Sequence, residues 1–166
     1  SNDGNLLSNF KKFRVLGITP ENIGKLAIKK GIPTILNYFD KKTVLKILKK
    51  YGKAKLICAT NVFAHIEDTN QLIKNIKSIL DKNGVFVSES HYLVSLIKTL
   101  QYDTIYHEHL RYYSISSLKY IFNKHGLEIF FCRNIKTHGG SIRVYASYKG
   151  KYKIDKFVKK FLDYEK

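Results

Sequence analysis

Two imidazoles, a carboxylate and a phenol crowd the stretch Tyr106-His107-Glu108-His109-Leu110. Histidine is the side chain whose unperturbed pKa lets it take and give protons near neutral pH. A carboxylate or phenol beside it can orient the ring or stabilise developing charge. The chemistry indicated is a general base with helpers. Backbone conformation decides which of these groups act together. In an extended segment His107 and His109 would share one side, and Tyr106 and Glu108 the other. In a turn all four could converge. The competing reading is an exposed polar loop, and it would win for an arbitrary His-Glu-His triplet.

The elements that must position this stretch follow from periodicity and capping signals. Asn2-Asp3-Gly4 is a turn signal, and Asp3 is placed to cap a segment over 6–12. The run 13–18 (FRVLGI) is of strand type. Thr19 and Pro20 predict a helix start, as N-cap and first helical residue, and Gly31 stops that helix. A strand is expected over 32–36, and Asp40 opens a lysine-rich amphipathic helix. The continuous apolar run 55–60 (KLICAT) has the pattern of a strand buried on both faces. The loop 61–65 follows it. Asp68 starts a helix through Leu80, Asn83-Gly84 turns the chain, and 85–89 (VFVSE) is the next strand. A polar turn, a helix around 92–100 and the histidine stretch come after it. Ser114 caps a helix that Gly126 ends. A strand over 127–134, a loop at His138-Gly139-Gly140 and an alternating strand over 141–148 follow. A basic amphipathic helix over 154–164 closes the chain.

This alternation predicts an α/β fold: a mostly parallel sheet with helices on both faces and an antiparallel last strand joined as a hairpin. The chain opens on turn residues with no leading strand, as if it began just after one. With that strand counted, the sheet has seven. Ligands of such sheets bind beyond the carboxyl ends of the strands. Residues 1–4, 19, 37–40, 61–65 and 89–92 fall there.

The length of 166 residues suits one domain with a real core. No apolar run reaches membrane-spanning length. Cys58 and Cys132 lie in apolar runs and read as reduced core residues, which implies a cytoplasmic setting. No cysteine or histidine spacing suggests zinc. The formal charge of +17 favours an anionic partner. Most of it is lysine spread along helical faces among Ile, Asn, Tyr and Phe, a mixture that biased genome composition also produces.

Four motifs in order, Ser1-Asn2-Asp3-Gly4, Asn61-Val62-Phe63-Ala64-His65, Tyr106-His107-Glu108-His109-Leu110 with Tyr113-Ser114, and His138-Gly139-Gly140-Ser141 with Arg143, carry a resemblance. The chain resembles the class I S-adenosylmethionine-dependent C-methyltransferases that act on nucleotide-bound deoxysugars. The resemblance covers nearly all of residues 1–148. It implies a Rossmann-like methyltransferase domain over 1–150 with a substrate-binding C-terminal half, followed by a basic helix over 151–166. The family's glycine loop begins with residues absent before Ser1, and its N-terminal zinc-binding domain has no counterpart here.

By resemblance, Ser1, Asn2, Asp3 and Gly4 approach the methionine part of the cofactor. Thr19 stands where the family usually has an acidic residue for the ribose hydroxyls; Glu21 is a substitute two positions on, and both residues equally well only start a helix. Phe39 and Asp40 sit where the family contacts adenine, and read equally well as core and N-cap. Asn61 resembles a residue facing the methionine end. Methyl transfer to carbon needs a base, because carbon next to a ketone becomes nucleophilic only as an enolate. Position in the motif assigns that base to His109. His65 and Tyr106 then hold or protonate the enolate oxygen, Glu108 orients His109 or binds a sugar hydroxyl, and His107 stands behind. His138-Gly139-Gly140-Ser141 and Arg143 would meet the nucleotide diphosphate; a tight glycine hairpin is the alternative.

The implied partner is a nucleotide sugar, with neither nucleic acid nor membrane expected. Two other functions stay open. An RNA methyltransferase would use the positive charge, and a non-catalytic piece of a methyltransferase would lack the missing segments. A zinc hydrolase on the His-Glu-His stretch lacks the HExxH spacing.

Overall fold

The structure is a computed structural model that describes residues 3–10 and 12–166. The chain divides into two compact units, Ser1–Tyr51 and Gly52–Lys166.

In the first unit Gly4 (φ 85°) turns the chain into a single helical turn, α1 (Asn5–Ser8). Asp3 Oδ1 accepts from Asn5 N at 3.2 Å, closing a turn, but the N-cap is Gly4 with no side-chain cap bond, so the expected Asp3 cap does not form and the helix is shorter than 6–12. Glycine is required at position 4. A Cβ there would stand 2.7 Å from Ile32 Cδ1 and 2.9 Å from Ala27 Cβ, on a left-handed backbone. Strands β1 (Gly17–Thr19) and β2 (Thr34–Leu36) pair in parallel with Ile18 opposite Ile35. They are joined by α2 (Gly24–Lys29).

That helix begins at Gly24, not at Pro20. Thr19 is the last residue of β1, and its Oγ1 accepts from Glu21 N at 3.1 Å, closing a turn before any helix forms. The helix α3 (Lys41–Tyr51) follows, and Asp40 caps it by accepting from Thr43 N at 2.7 Å.

The second unit is a four-stranded sheet in the order β3-β4-β6-β5, built from β3 (Ala54–Thr60), β4 (Leu80–His91), β5 (Leu127–Ile135) and β6 (Ser141–Tyr148). β3 and β4 run parallel, while β6 lies antiparallel to both β4 and β5. The expected hairpin partner is thus the strand inserted between β4 and β5. The helices are α4 (Thr69–Ile79), α5 (Leu93–Lys98), α6 (Ile115–Lys124) and α7 (Lys156–Tyr164). Asp68 caps α4 through Gln71 N, and Ser114 caps α6 in a reciprocal box with Ser117.

Two expectations change here. The Asn83-Gly84 turn is absorbed as an irregularity inside one long strand: the β3–β4 register jumps from Ala54–Leu80 to Leu56–Val85. β3 is not buried on both faces, because it is the edge strand of this sheet; Leu56 is 45% exposed and Cys58 is exposed. Cys132 is the core thiol, and burial pushes its pKa up to about 12.

The core of this unit includes a buried cluster of Phe63, Phe86 and Phe122, whose ring centroids lie 5.7–6.0 Å apart. The edge of Tyr113 packs 6.0 Å from Phe63. The C-terminal helix belongs to this unit. Just past α7, the Glu165 carboxylate accepts from Ile115 N (2.6 Å), Ser116 N (2.8 Å) and the Tyr92 hydroxyl (2.9 Å). It therefore satisfies donors at the start of α6 that no helical carbonyl can reach.

Candidate active site

Four segments of the second unit bring four histidines together. His65 ends a single 3-10 turn, Phe63–His65, just after β3. His91 is the last residue of β4. His109 comes from the segment between α5 and α6. His138 sits in the turn Thr137–Gly139 between β5 and β6. Ring centroids are 5.1 Å apart for His65 and His109, 5.1 Å for His91 and His109, and 5.6 Å for His91 and His138. Among the described residues no three His, Cys, Asp or Glu side chains are arranged to hold a metal ion.

The His-Glu-His stretch is a turn, not an extended segment. His109 N donates to Tyr106 O at 3.0 Å, which puts residues 106 and 109 on one side. Their ring centroids are 4.4 Å apart, and the Tyr106 hydroxyl lies 3.3 Å from His109 Nε2. His107 is exposed, with its ring centroid 6.0 Å from that of Tyr106 in an edge-to-face arrangement. The stretch is anchored by Leu110 N on Ala64 O at 2.8 Å, and by Arg111 on the carbonyls of Ile66 and Glu67.

Hydrogen-bond partners fix the tautomers. His109 Nδ1 is 2.8 Å from the Thr104 carbonyl. A carbonyl only accepts, so Nδ1 carries the proton and a neutral His109 presents a bare Nε2 toward Tyr106. Thr104 O also accepts from the Tyr112 hydroxyl at 3.0 Å. Glu108 therefore does not orient His109; that role belongs to Thr104. The contribution of Glu108 is its backbone carbonyl, 2.9 Å from His65 Nδ1. By the same logic a neutral His65 has its proton on Nδ1 and can only accept at Nε2. It can hold an oxyanion only when doubly protonated, which changes the role expected of it.

Sequence reasoning missed His91. The expected strand stopped at Glu89, and the polar residues after it read as a turn. The ladder instead continues to a His91–Ser141 pair. Burial, followed by its histidine neighbours His109, His138 and His65, holds the His91 pKa below the ordinary value. The unpaired alternation of Glu89 and His91 on β4 was the available signal.

The loop at His138 also differs from a phosphate cradle. Asn61 (φ 55°) and His138 (φ 52°) are both left-handed, and Asn61 Nδ2 lies 3.5 Å from His138 Nε2. Each such non-glycine residue costs about 1–3 kcal/mol and is held by its surroundings. Asn61 thus faces the histidine cluster. The two glycines answer to close packing. A Cβ on Gly139 would run into the Gln101 amide, and one on Gly140 would stand 2.7 Å from Ser95 Oγ. Gln101 Nε2 donates to Gly139 O at 2.9 Å, and Ser141 is buried with its hydroxyl on Thr137 O at 3.3 Å.

Arg143 is likewise committed. Its Nε and Nη2 lie 2.7 and 2.5 Å from Glu89 Oε2, directly across the β4–β6 ladder, and Glu89 is only 6% exposed. This ion pair occupies the guanidinium that the sequence offered to a diphosphate.

In the first unit, Ser1 and Asn2 lie outside the described residues. Asp3 accepts from Asn5 N and sits 3.9 Å from Lys30 Nζ. Thr19 is buried with its hydroxyl accepting from Glu21 N, while Glu21 is exposed. Phe39 is half-buried, and the hydrogen bonds from Thr43 hold the Asp40 carboxyl below its ordinary value. The described residues include no helix long and apolar enough to cross a membrane.

The methyltransferase domain profile matches residues 1–130. C-methyltransferase NovU of Streptomyces niveus is 37% identical over 150 residues, which is 89% of this chain and 36% of that protein. The chain thus spans about a third of the length of this curated relative. Among solved structures, a SAM-dependent methyltransferase from Anabaena variabilis aligns with TM-score 0.66 at 16% identity, covering 89% of this chain and 74% of that one. An S-adenosylmethionine-dependent methyltransferase from Clostridium acetobutylicum aligns with TM-score 0.69 at 15% identity, covering 89% and 81%.

Proposed function

The chain belongs to the methyltransferase-domain family, and on that premise we propose that it methylates carbon next to the ketone of a nucleotide-linked keto-deoxysugar, through an enolate. The cofactor of such a domain is S-adenosyl-L-methionine. When bound, it supplies an electrophilic methyl group whose sulfur keeps the electron pair of the broken bond.

The first unit's residues suit that group chemically. Glu21 offers an exposed carboxylate able to accept two ribose hydroxyls, in place of Thr19, whose hydroxyl already closes a turn. Phe39 and Asp40 follow β2 as an aromatic face and a carboxylate for adenine. In the second unit, Asn61 stands at the tip of β3.

The observation that carries the reading is the fixed tautomer of His109. With Nδ1–H on Thr104 O, the bare Nε2 is the proton acceptor, and it faces the Tyr106 hydroxyl. Nε2 takes the proton from the carbon beside the ketone. The C–H electron pair becomes the enolate double bond, and the negative charge moves to the ketone oxygen. Tyr106, relieved of its partner once Nε2 is protonated, turns its hydroxyl proton toward that oxygen. The identity to NovU supports carbon as the methyl acceptor. The experiment is methyl-labelled S-adenosyl-L-methionine with nucleotide 4-keto-deoxysugars. His109→Gln abolishes transfer and leaves cofactor affinity unchanged. Equal transfer by both proteins would remove His109 as the base.

A further inference from the structure

His65 and His138 each spend one ring nitrogen on a protein partner, a carbonyl of Glu108 and the Asn61 amide, and His109 spends both, on the Thr104 carbonyl and the Tyr106 hydroxyl. His91 lies beside two of these rings, and among the described residues neither of its nitrogens has a hydrogen-bond partner. Its backbone is fixed. His91 pairs with Ser141 in the ladder, and the next residue, Tyr92, donates its N–H to Gly140 O at 3.1 Å. The Tyr92 side chain is buried and held by Glu165. The site therefore contains one half-buried imidazole on a fixed backbone, with its N–H unpartnered among the described residues, 5.1 Å centroid to centroid from His109.

We propose that His91 is a further catalytic residue, the neutral N–H donor that holds the substrate's ketone oxygen as it becomes the enolate oxygen. This rests on the methyl-transfer reading above. The oxygen is bonded to the carbon next to the one that loses its proton, so its donor must stand beside the base, as His91 does. Neutral His65 cannot fill the place, since its one proton is on Glu108 O and its Nε2 only accepts. Tyr106 starts with its proton directed at His109. His91 is surrounded by His65, His109 and His138, and burial disfavours its charged form, so it donates as imidazole at neutral pH. A neutral donor stabilises the growing negative charge without surrendering a proton in the same step. The balance is simple: the carbon's proton goes to His109 Nε2, the C–H pair enters the new double bond, and the oxygen charge is met by the His91 N–H.

The test separates enolisation from transfer. Thymidine-, uridine- and guanosine-diphosphate 4-keto-6-deoxyhexoses are incubated in D2O with the chain, and exchange of the proton beside the ketone is followed by NMR. Wild type should exchange it and His109→Gln should not. His91→Leu should lower the rate about 100- to 1,000-fold, the loss seen when an oxyanion donor is removed. His91→Gln, which keeps an N–H donor, should recover most of that loss. Amide spectra of each variant show that it is folded, and the His91 ring nitrogen resonance should shift when substrate is added to wild type. Exchange by His91→Leu at the wild-type rate would overturn the proposal and leave the base assignment standing. Exchange unaffected by His109→Gln would overturn the methyl-transfer reading itself.

Discussion

Arg143→Ala should destabilise the second unit without acting through substrate phosphate. Two guanidinium nitrogens lie 2.5 and 2.7 Å from a single Glu89 oxygen, and the Glu89 side chain is 8% exposed against 28% for Arg143. Removing one partner of a buried pair costs about 3–5 kcal/mol, because the other charge is left without compensation. The partial exposure of Arg143 admits water to the orphaned carboxylate, which lowers the figure to roughly 2–3 kcal/mol. For a chain of this size that is a fall in Tm of about 4–12 °C. The companion is Glu89→Leu with Arg143→Met. Replacing a buried pair by apolar groups of similar size is often neutral, so the double variant should return to within about 1 kcal/mol of wild type. Thermal and urea unfolding measure both. The reasoning fails if Arg143→Ala unfolds like wild type while nucleotide-sugar affinity collapses. Arg143 would then be a phosphate ligand and the ion pair incidental.

Three further outcomes are expected. Glu165→Ala removes the acceptor for two N–H groups at the start of α6 and for the Tyr92 hydroxyl; it should cost about 2 kcal/mol by urea unfolding, the upper range for a helix cap. His91 has a folded pKa below its unfolded value. The unfolded chain binds the proton more readily, so this site's contribution is complete above about pH 6.5 and is lost as pH falls through the folded pKa. Wild-type Tm should thus drop between pH 7 and 5 by more than that of His91→Leu. Gly4→Ala combines a left-handed backbone with contacts of 2.7 and 2.9 Å, so it should cost about 2–4 kcal/mol and weaken S-adenosyl-L-methionine binding measured by calorimetry.

Local signals were legible because they are written in adjacent residues. Asp40, Asp68 and Ser114 cap the helices they announce, and the β5–β6 hairpin forms where alternation places it. Thr19-Pro20 misled because a side chain that can cap a helix can also close a turn onto the next N–H, and only packing of Gly24 against Thr19 and Leu36 decides between them. The histidine at 109 was legible from its neighbours in sequence. Its orienting partner was not, because a backbone carbonyl carries no sequence signature and Glu108 looked like the better acceptor. His91, the Glu89–Arg143 pair and the Asn61–His138 contact all join residues 50 or more positions apart or lie at a strand end set by its partner strand. Tertiary pairing alone reveals them.

The central claim is methyl transfer to carbon next to a ketone. It is tested most directly by supplying S-adenosyl-L-methionine with a 13C-labelled methyl group and a nucleotide 4-keto-6-deoxyhexose, and locating the label by carbon NMR. A new methyl signal coupled to the ring carbon beside the ketone is expected, absent with His109→Gln. A label on oxygen or nitrogen, or transfer to RNA under the same conditions, would contradict it.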